Sequence, residues 1–198
     1  MEIVIKKLLP DMAEEYICFF DETPHDDGIP DHTCYCVNWC CENQRGRIDD
    51  PLRDERRKMA TEYIQNGTLQ GYLAYVDGKI VGWCNANTKM KCLDCYGWYH
   101  FMTEINELPV NPSEKVKSIF CFMIAPCMKR KGIATKLLEY ICEDAKKDGF
   151  SYLEAYPQKK DNDEYQFYVG FKSLYEKMGF TYYTETEQKY IMRKKLNG

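Results

Sequence analysis

No apolar stretch in the 198 residues is long enough to cross a membrane. The longest, Ile119 to Met128, is about half the length a spanning helix needs and is interrupted by Pro126. The N-terminal MEIVIKKLLPD has neither a long apolar core nor a small-residue cleavage site, so no secretory signal is expected. An excess of basic charge is also missing. Lys and Arg number 27 against 31 Asp and Glu, a net charge of -4, which argues against a dedicated nucleic-acid binder. There is no internal repeat and no low-complexity segment. Histidine is scarce: His25, His32 and His100 stand alone, and none is assigned a catalytic role.

Hydrophobic residues, in contrast, make up 44% of the chain, enough to build a core of its own. The length fits a single domain. Cysteine is plentiful at 11 residues, and an odd number cannot pair completely within one chain. Without a secretory signal, a reducing cytoplasm and free thiols are expected, with Cys18, Cys84, Cys121 and Cys142 placed in apolar runs as small hydrophobes. Cys92-x-x-Cys95 has metal-ligand spacing, but Cys34-x-Cys36 does not, and no histidine pair follows. No metal is therefore expected. A structural zinc on Cys34, Cys36, Cys92 and Cys95, or a thiol-based redox role, stands as the alternative.

Periodicity lays out the elements. A strand is expected over Glu2–Leu8 and a helix over Asp11–Phe20, followed by an exposed helix from Asp49 to Asn66. Two strand-like runs, Gly71–Val76 and Lys79–Asn85, flank Asp77-Gly78, a strong hairpin signal because both central positions of a type I′ turn need positive φ. Residues 88–117 read as an insertion or a mobile loop with a short helix. Within it Tyr96-Gly97-Trp98-Tyr99-His100-Phe101 is either a lid or a local hydrophobic plug. Ser118–Ala125 is continuously apolar, as in a strand buried on both faces. Ile133, Leu137, Leu138, Ile141, Cys142 and Ala145 recur at helical spacing up to Gly149. A strand at Tyr152–Tyr156, a short helix at Phe171–Met178 and a final pair, Phe180–Thr186 and Lys189–Lys194, complete the chain. The expectation is an α/β domain in which one β-α-β unit lies inside a mostly antiparallel sheet.

The segment between the buried strand and the long helix carries the chemistry. It runs Phe122-Met123-Ile124-Ala125-Pro126-Cys127-Met128-Lys129-Arg130-Lys131-Gly132-Ile133-Ala134-Thr135. A strand leads into a basic loop, and a helix starts at a glycine. The unpaired N–H groups of a helix N-terminus attract an anion, and Gly132 lets a phosphate come close to the backbone. Ala134 keeps the first turn narrow. Lys129, Arg130 and Lys131 add charge, and Thr135 adds a hydroxyl donor.

Lys129-Arg130-Lys131-Gly132-Ile133-Ala134 resembles the Q/R-x-x-G-x-G/A signature of the GNAT superfamily of N-acetyltransferases, with lysine at its first position. Leu174-Tyr175-Glu176-Lys177-Met178-Gly179-Phe180 resembles a second stretch of that superfamily, so the likeness covers the C-terminal half by motif and the N-terminal half by element order. The resemblance implies a single GNAT domain over 1–198 that takes acetyl-CoA as cosubstrate, without metal. It implies acetyl transfer to a primary amine of a small molecule or peptide by direct attack in a ternary complex. A non-catalytic acyl-CoA-binding module is the rival from another class. No nucleic acid or membrane partner is implied, and no oligomeric state. The loop from Lys129 to Thr135, Ile133 included, would hold the pyrophosphate. The backbone of Phe122, Met123 and Ile124 would pair with the pantetheine arm. Tyr175 falls where many members place the general acid that protonates the departing thiolate, a role suited to a phenol of pKa about 10. Tyr168 stands where many members have an asparagine.

The general base is sought among carboxylates. Glu154, in the apolar strand Leu153–Tyr156, is the candidate, since burial would raise its pKa towards neutrality. Glu104, in the insertion, and a water chain are the alternatives.

Overall fold

The structure is a computed structural model, and it describes residues 1–23, 25, 33–40, 51–105, 113–159 and 166–196. Seven strands form one sheet: β1 (Val4–Lys7), β2 (Gly71–Val76), β3 (Lys79–Thr88), β4 (Val116–Ile124), β5 (Tyr152–Ala155), β6 (Thr181–Glu185) and β7 (Tyr190–Lys195). Their spatial order is β1-β2-β3-β4-β5-β7-β6. Only β4 and β5 run parallel; every other pair is antiparallel. The helices are α1 (Ala13–Glu22), α2 (Arg53–Gln65), α3 (Lys89–Cys92), α4 (Tyr96–Phe101), α5 (Ile133–Lys147), α6 (Gln166–Val169) and α7 (Lys172–Lys177).

Strand alternation sends side chains into two cores. On one face Tyr72, Ala74, Cys84, Ile119, Phe122, Leu153 and Ala155 pack against the apolar stripe of α5 and against Tyr175 of α7. On the other, Leu73, Trp83, Phe120, Met123 and Tyr156 pack against α1, α2, α4 and the turn around Val37. The parallel β4–α5–β5 crossover explains why β4 reads as an unbroken apolar run: it is covered on both sides. Asp77 and Gly78 have φ of 50° and 76°, so the β2–β3 hairpin is closed by the turn expected of Asp-Gly. Gly149, at φ 72°, ends α5, and the N–H of Phe150 donates back to Ala145 O at 2.9 Å.

Two readings change. Residues 88–105 do not stand off as a loop: Cys92, Cys95, Trp98, Met102 and Ile105 are buried in the core shared with α1 and α2. Trp98 meets Phe120 and Tyr156 edge-on at 6.1 and 6.0 Å. Of the aromatic run, Tyr96 and Trp98 are plug, while Tyr99 and Phe101 are exposed. Cys18 is exposed on the outer face of α1, whereas Cys84, Cys121 and Cys142 are buried. An apolar run in a helix still has an outer side.

One lysine is buried on the α5 side of the sheet. Lys117 is 2% exposed, and its Nζ donates to the Tyr72 hydroxyl at 3.0 Å. Tyr72 passes the contact on to Asp144 at 2.7 Å, and Asp144 is paired with Lys7. Burial, with nearby Lys7, pulls the Lys117 pKa down to about 8, against an upward pull from Asp148 and Asp144. A lysine whose folded pKa is depressed holds fewer protons folded than unfolded, so stability rises with pH across the interval from about 8 to 10.5. Lys117→Met should therefore raise the melting temperature at pH 7 by about 2–4 °C, equivalent to about 1 kcal/mol. The gain should shrink by pH 10, which thermal melts at the two pH values will measure.

Candidate active site

β5 pairs with β4 only from Val116↔Tyr152 to Ile119↔Ala155. β4 continues through Phe120–Ile124 with β3 on one side and no strand on the other, among the described residues. The chain after β5 runs alongside β7 instead. Tyr190 N–H donates to Pro157 O at 2.9 Å, Gln158 bridges to Lys189, and Lys159 N–H donates to Gln188 O at 2.8 Å. The sheet thus parts, and the free edge of β4 lines a groove of ≈ 500 Å³. An open strand edge is a template for an extended ligand with amide groups.

The groove leads into the basic loop. Arg130 and Gly132 both lie in the left-handed region, at φ 61° and 83°. A residue with a side chain held there marks a backbone bent for a purpose. Successive N–H groups turn inward in such a bend and make an anion nest. No side chain caps the first turn of α5, whose first helical bond runs from Lys136 N–H to Gly132 O at 3.0 Å. A Cβ built on Gly132 would meet nothing within 4 Å, so the space before the nest is open.

This chain belongs to the acetyltransferase (GNAT) family. The family model matches residues 39–180. No curated protein matches the sequence. Solved structures share the fold at low identity. PaiA N-acetyltransferase from Thermoplasma acidophilum, in complex with coenzyme A, has a TM-score of 0.53 at 17% identity, covering 98% of this chain and 99% of that one. The ribosomal-protein-S18-alanine N-acetyltransferase of Escherichia coli has 0.52 at 12%, covering 100% and 96%. The polyamine N-acetyltransferase of Drosophila melanogaster has 0.56 at 9%, covering 97% and 98%.

Within this GNAT chain, Phe122, Met123, Ile124, Lys129, Arg130, Gly132, Ile133, Ala134 and Thr135 all border the groove. Lys131 does not; it is exposed, with Nζ 3.9 Å from Met128 Sδ. The opposite wall is Tyr168, Gly170, Phe171 and Leu174. Of these, Tyr168 and Leu174 stand out in the sequence, Leu174 as the start of the second motif. Gly170 is legible there only as a glycine preceding a helix. Tyr175 sits directly behind that wall, fully buried, and its hydroxyl donates to Val169 O at 2.6 Å. A Cβ on Gly170 would come within 2.9 Å of that hydroxyl, so a side chain there would displace it. Burial pushes the Tyr175 hydroxyl well above the usual phenol range, and the Cys84 and Cys121 thiols add to the effect.

A second cavity of ≈ 520 Å³ lies on the other side of Tyr168, which lines both. β4 carries a bulge here: Asn85 opposes Cys121 and Ala86 opposes Ile119, so Phe120 is the extra residue. In consequence Phe120 and Cys121 both face this cavity instead of alternating. Cys34, Cys36, Trp39, Tyr156, His25, His100 and Glu104 also line it. Among the described residues no three His, Cys, Asp or Glu side chains are placed to hold a metal ion, and the ten described cysteines are free. No helix among them is long and apolar enough to cross a membrane.

Glu154 is placed otherwise than as a poised base. It is fully buried, neither solvent-facing nor isolated. Its Oε1 accepts from Lys89 Nζ at 2.5 Å and from the Tyr156 hydroxyl at 2.6 Å, and its Oε2 accepts from Arg193 Nε at 2.5 Å. Burial alone would push its pKa up, as expected from the sequence. Lys89, Tyr156 and Arg193 outweigh burial and hold the carboxyl below its ordinary value. The partners come from α3 and β7, 65 and 39 residues away in sequence, which is why the strand alone gives no sign of them.

Glu154→Gln leaves Lys89 buried without its counter-charge and Arg193 with Glu114 alone, and should cost about 3 kcal/mol. A depressed carboxyl pKa contributes stability that is complete above the unfolded value of 4.5 and is lost as pH falls through the folded one. The difference between wild type and variant in urea melts should therefore be full at pH 7 and narrow below about pH 4.5.

Proposed function

We propose that the protein transfers an acetyl group from acetyl-CoA to a primary amine, by direct attack in a ternary complex within one domain. The observation that carries this reading is the open β4 edge running into an uncapped, basic helix N-terminus. An extended amide-bearing arm ending in a pyrophosphate needs these two features in this order. The pantetheine arm would add to Phe122–Ile124 as a strand, and the pyrophosphate would sit on the N–H groups of the Lys129–Thr135 loop, with Lys131 contributing long-range charge only. The relatives solved with coenzyme A are in keeping with this. The ten free thiols among the described cysteines suit a cytoplasmic setting.

The acyl carbon would then lie near Tyr168, where groove and cavity meet. A neutral amine entering from the cavity attacks the carbonyl, and the carbon–sulfur bond breaks as the tetrahedral intermediate collapses. Tyr175 stays protonated throughout the neutral range, and on this reading its hydroxyl leaves Val169 O to protonate the departing thiolate. Glu154 has three hydrogen bonds on its two oxygens, two of them from cations, and a lowered pKa. We read it as the anchor of Tyr156, and leave the amine proton to solvent reaching the cavity past Glu104, the described carboxylate on its wall.

Acetyl-CoA at about a hundred times its dissociation constant should stabilise the fold by about 2.7 kcal/mol, a rise in melting temperature of several degrees. Gly132→Glu puts a bulky anion into the nest and should abolish that rise; an unchanged rise would remove the phosphate-loop assignment.

Tyr175→Phe keeps the ring and deletes the proton. Turnover measured by thiol release should fall in kcat by about 10²-fold, with little change in the KM for acetyl-CoA. Equal kcat would assign the proton to another donor. A chain that binds acetyl-CoA yet releases no thiol with any amine would be a binding module.

A further inference from the structure

We infer, building on the acetyl-transfer reading, that the acceptor is an arylalkylamine, a primary amine on a short chain attached to a flat aromatic ring. One wall of the second cavity is a column of rings. Trp39 stacks on Phe120 with centroids 4.7 Å apart and planes 7° off parallel. Phe120 stacks on Tyr156 at 5.8 Å and 15°. Phe101, half-exposed at the cavity rim, extends the wall 6.0 Å from Trp39.

The column is held rigidly, so its shape is preformed. The Tyr156 hydroxyl is tied between Glu154 and Ser118, at 2.6 Å to each. Trp39 is held through its own backbone: the Cys92 thiol donates to Trp39 O at 3.2 Å. A Cβ on Gly97 would come within 2.8 Å of the Trp39 ring, so α4 lies directly on it. The β4 bulge turns Phe120 into the cavity. Phe120 lies between Trp39 and Tyr156, so the column offers the cavity ring edges, and a flat aromatic guest packs its face against them at a gain beyond simple burial.

Charge points the same way. An oligocationic acceptor, such as a polyamine or an aminoglycoside, needs several carboxylates along its length. Among the described residues Glu104 is the one carboxylate on the cavity wall, and its Oε2 already accepts from Glu187 N–H at 2.9 Å. Arg56 and Lys189, on the same wall, add no negative charge to it. The volume, ≈ 520 Å³, lies within the range of sites that enclose a small organic molecule. The shared wall at Tyr168 leads an amine on a short chain towards the thioester, with its ring left on the Trp39–Phe120 stack.

The test measures thiol release from acetyl-CoA with tryptamine, phenethylamine, spermidine and kanamycin as acceptors. Tryptamine and phenethylamine should show kcat/KM about 10-fold or more above the two oligocations, as expected for one or two well-formed ring contacts. Phe101→Ala, at the exposed rim where folding is little affected, should raise the KM for tryptamine about threefold or more while leaving the KM for acetyl-CoA unchanged. Trp39→Phe should keep most of the preference and Trp39→Ala should lose it. Preferred turnover of spermidine or kanamycin would overturn the acceptor assignment and leave acetyl transfer standing. So would an unaltered tryptamine KM in Phe101→Ala, or no turnover of either aromatic amine alongside a normal thermal shift with acetyl-CoA. Loss of that shift as well would remove the acetyl-transfer reading beneath it.

Discussion

Beyond Ile119 the fourth strand loses its neighbour, because β5 and the residues after it stay with β7. A parallel pair that separates part-way exposes a row of amide groups that must otherwise be satisfied. The separation needs a firm end to part from. Glu154 supplies it at the last paired residues, where one carboxylate holds α3 through Lys89, β7 through Arg193 and the ring of Tyr156. Replacing such a buried set by well-packed apolar residues is often neutral in stability, so its worth lies in geometry. It fixes three elements and one cavity wall around a single point. The β4 bulge at Phe120 sits just above that point. It turns two successive side chains to the cavity and leaves Phe122 to return to the opposite core.

Legibility in the sequence depends on how local each signal is. Asp77-Gly78, the stripe of α5, the buried run of β4 and the basic turn at Gly132 are each set by a few adjacent residues, and each lies where periodicity and turn chemistry put it. The partners of Glu154 are distant in sequence, so its strand looks like a place for an unpaired carboxylate. The bulge is invisible because an extra apolar residue in an apolar run changes no pattern. The second cavity is legible only in part: its cysteines and aromatics stand out in the sequence, but nothing local joins them. Its walls come from the Cys34–Trp39 turn, α4, β4 and the segment after β5, none of which has a motif of its own. Residues 88–105 look like an insertion since their helices are only four and six residues long, too short for a period to show.

The thiols illustrate the same distinction. Cys92 and Cys95 have the spacing of metal ligands, yet each is used as a hydrogen-bonding group. The Cys92 thiol donates to Trp39 O, and the Cys95 sulfur accepts from Trp98 N–H at the start of α4. Both bonds hold aromatic residues that build or back the cavity wall.

The wall shared at Tyr168 has a consequence for how the two ligands bind. Tyr168 borders both groove and cavity, and on the proposed reading a thioester lying along β4 would complete the surface against which an acceptor rests. An acceptor arriving first would find that surface missing. Affinity for the second ligand therefore depends on the first, and by thermodynamic linkage each ligand tightens the other by the same factor. On the proposed reading the parted sheet is a shared clasp, in which either ligand, once seated, helps to hold the other.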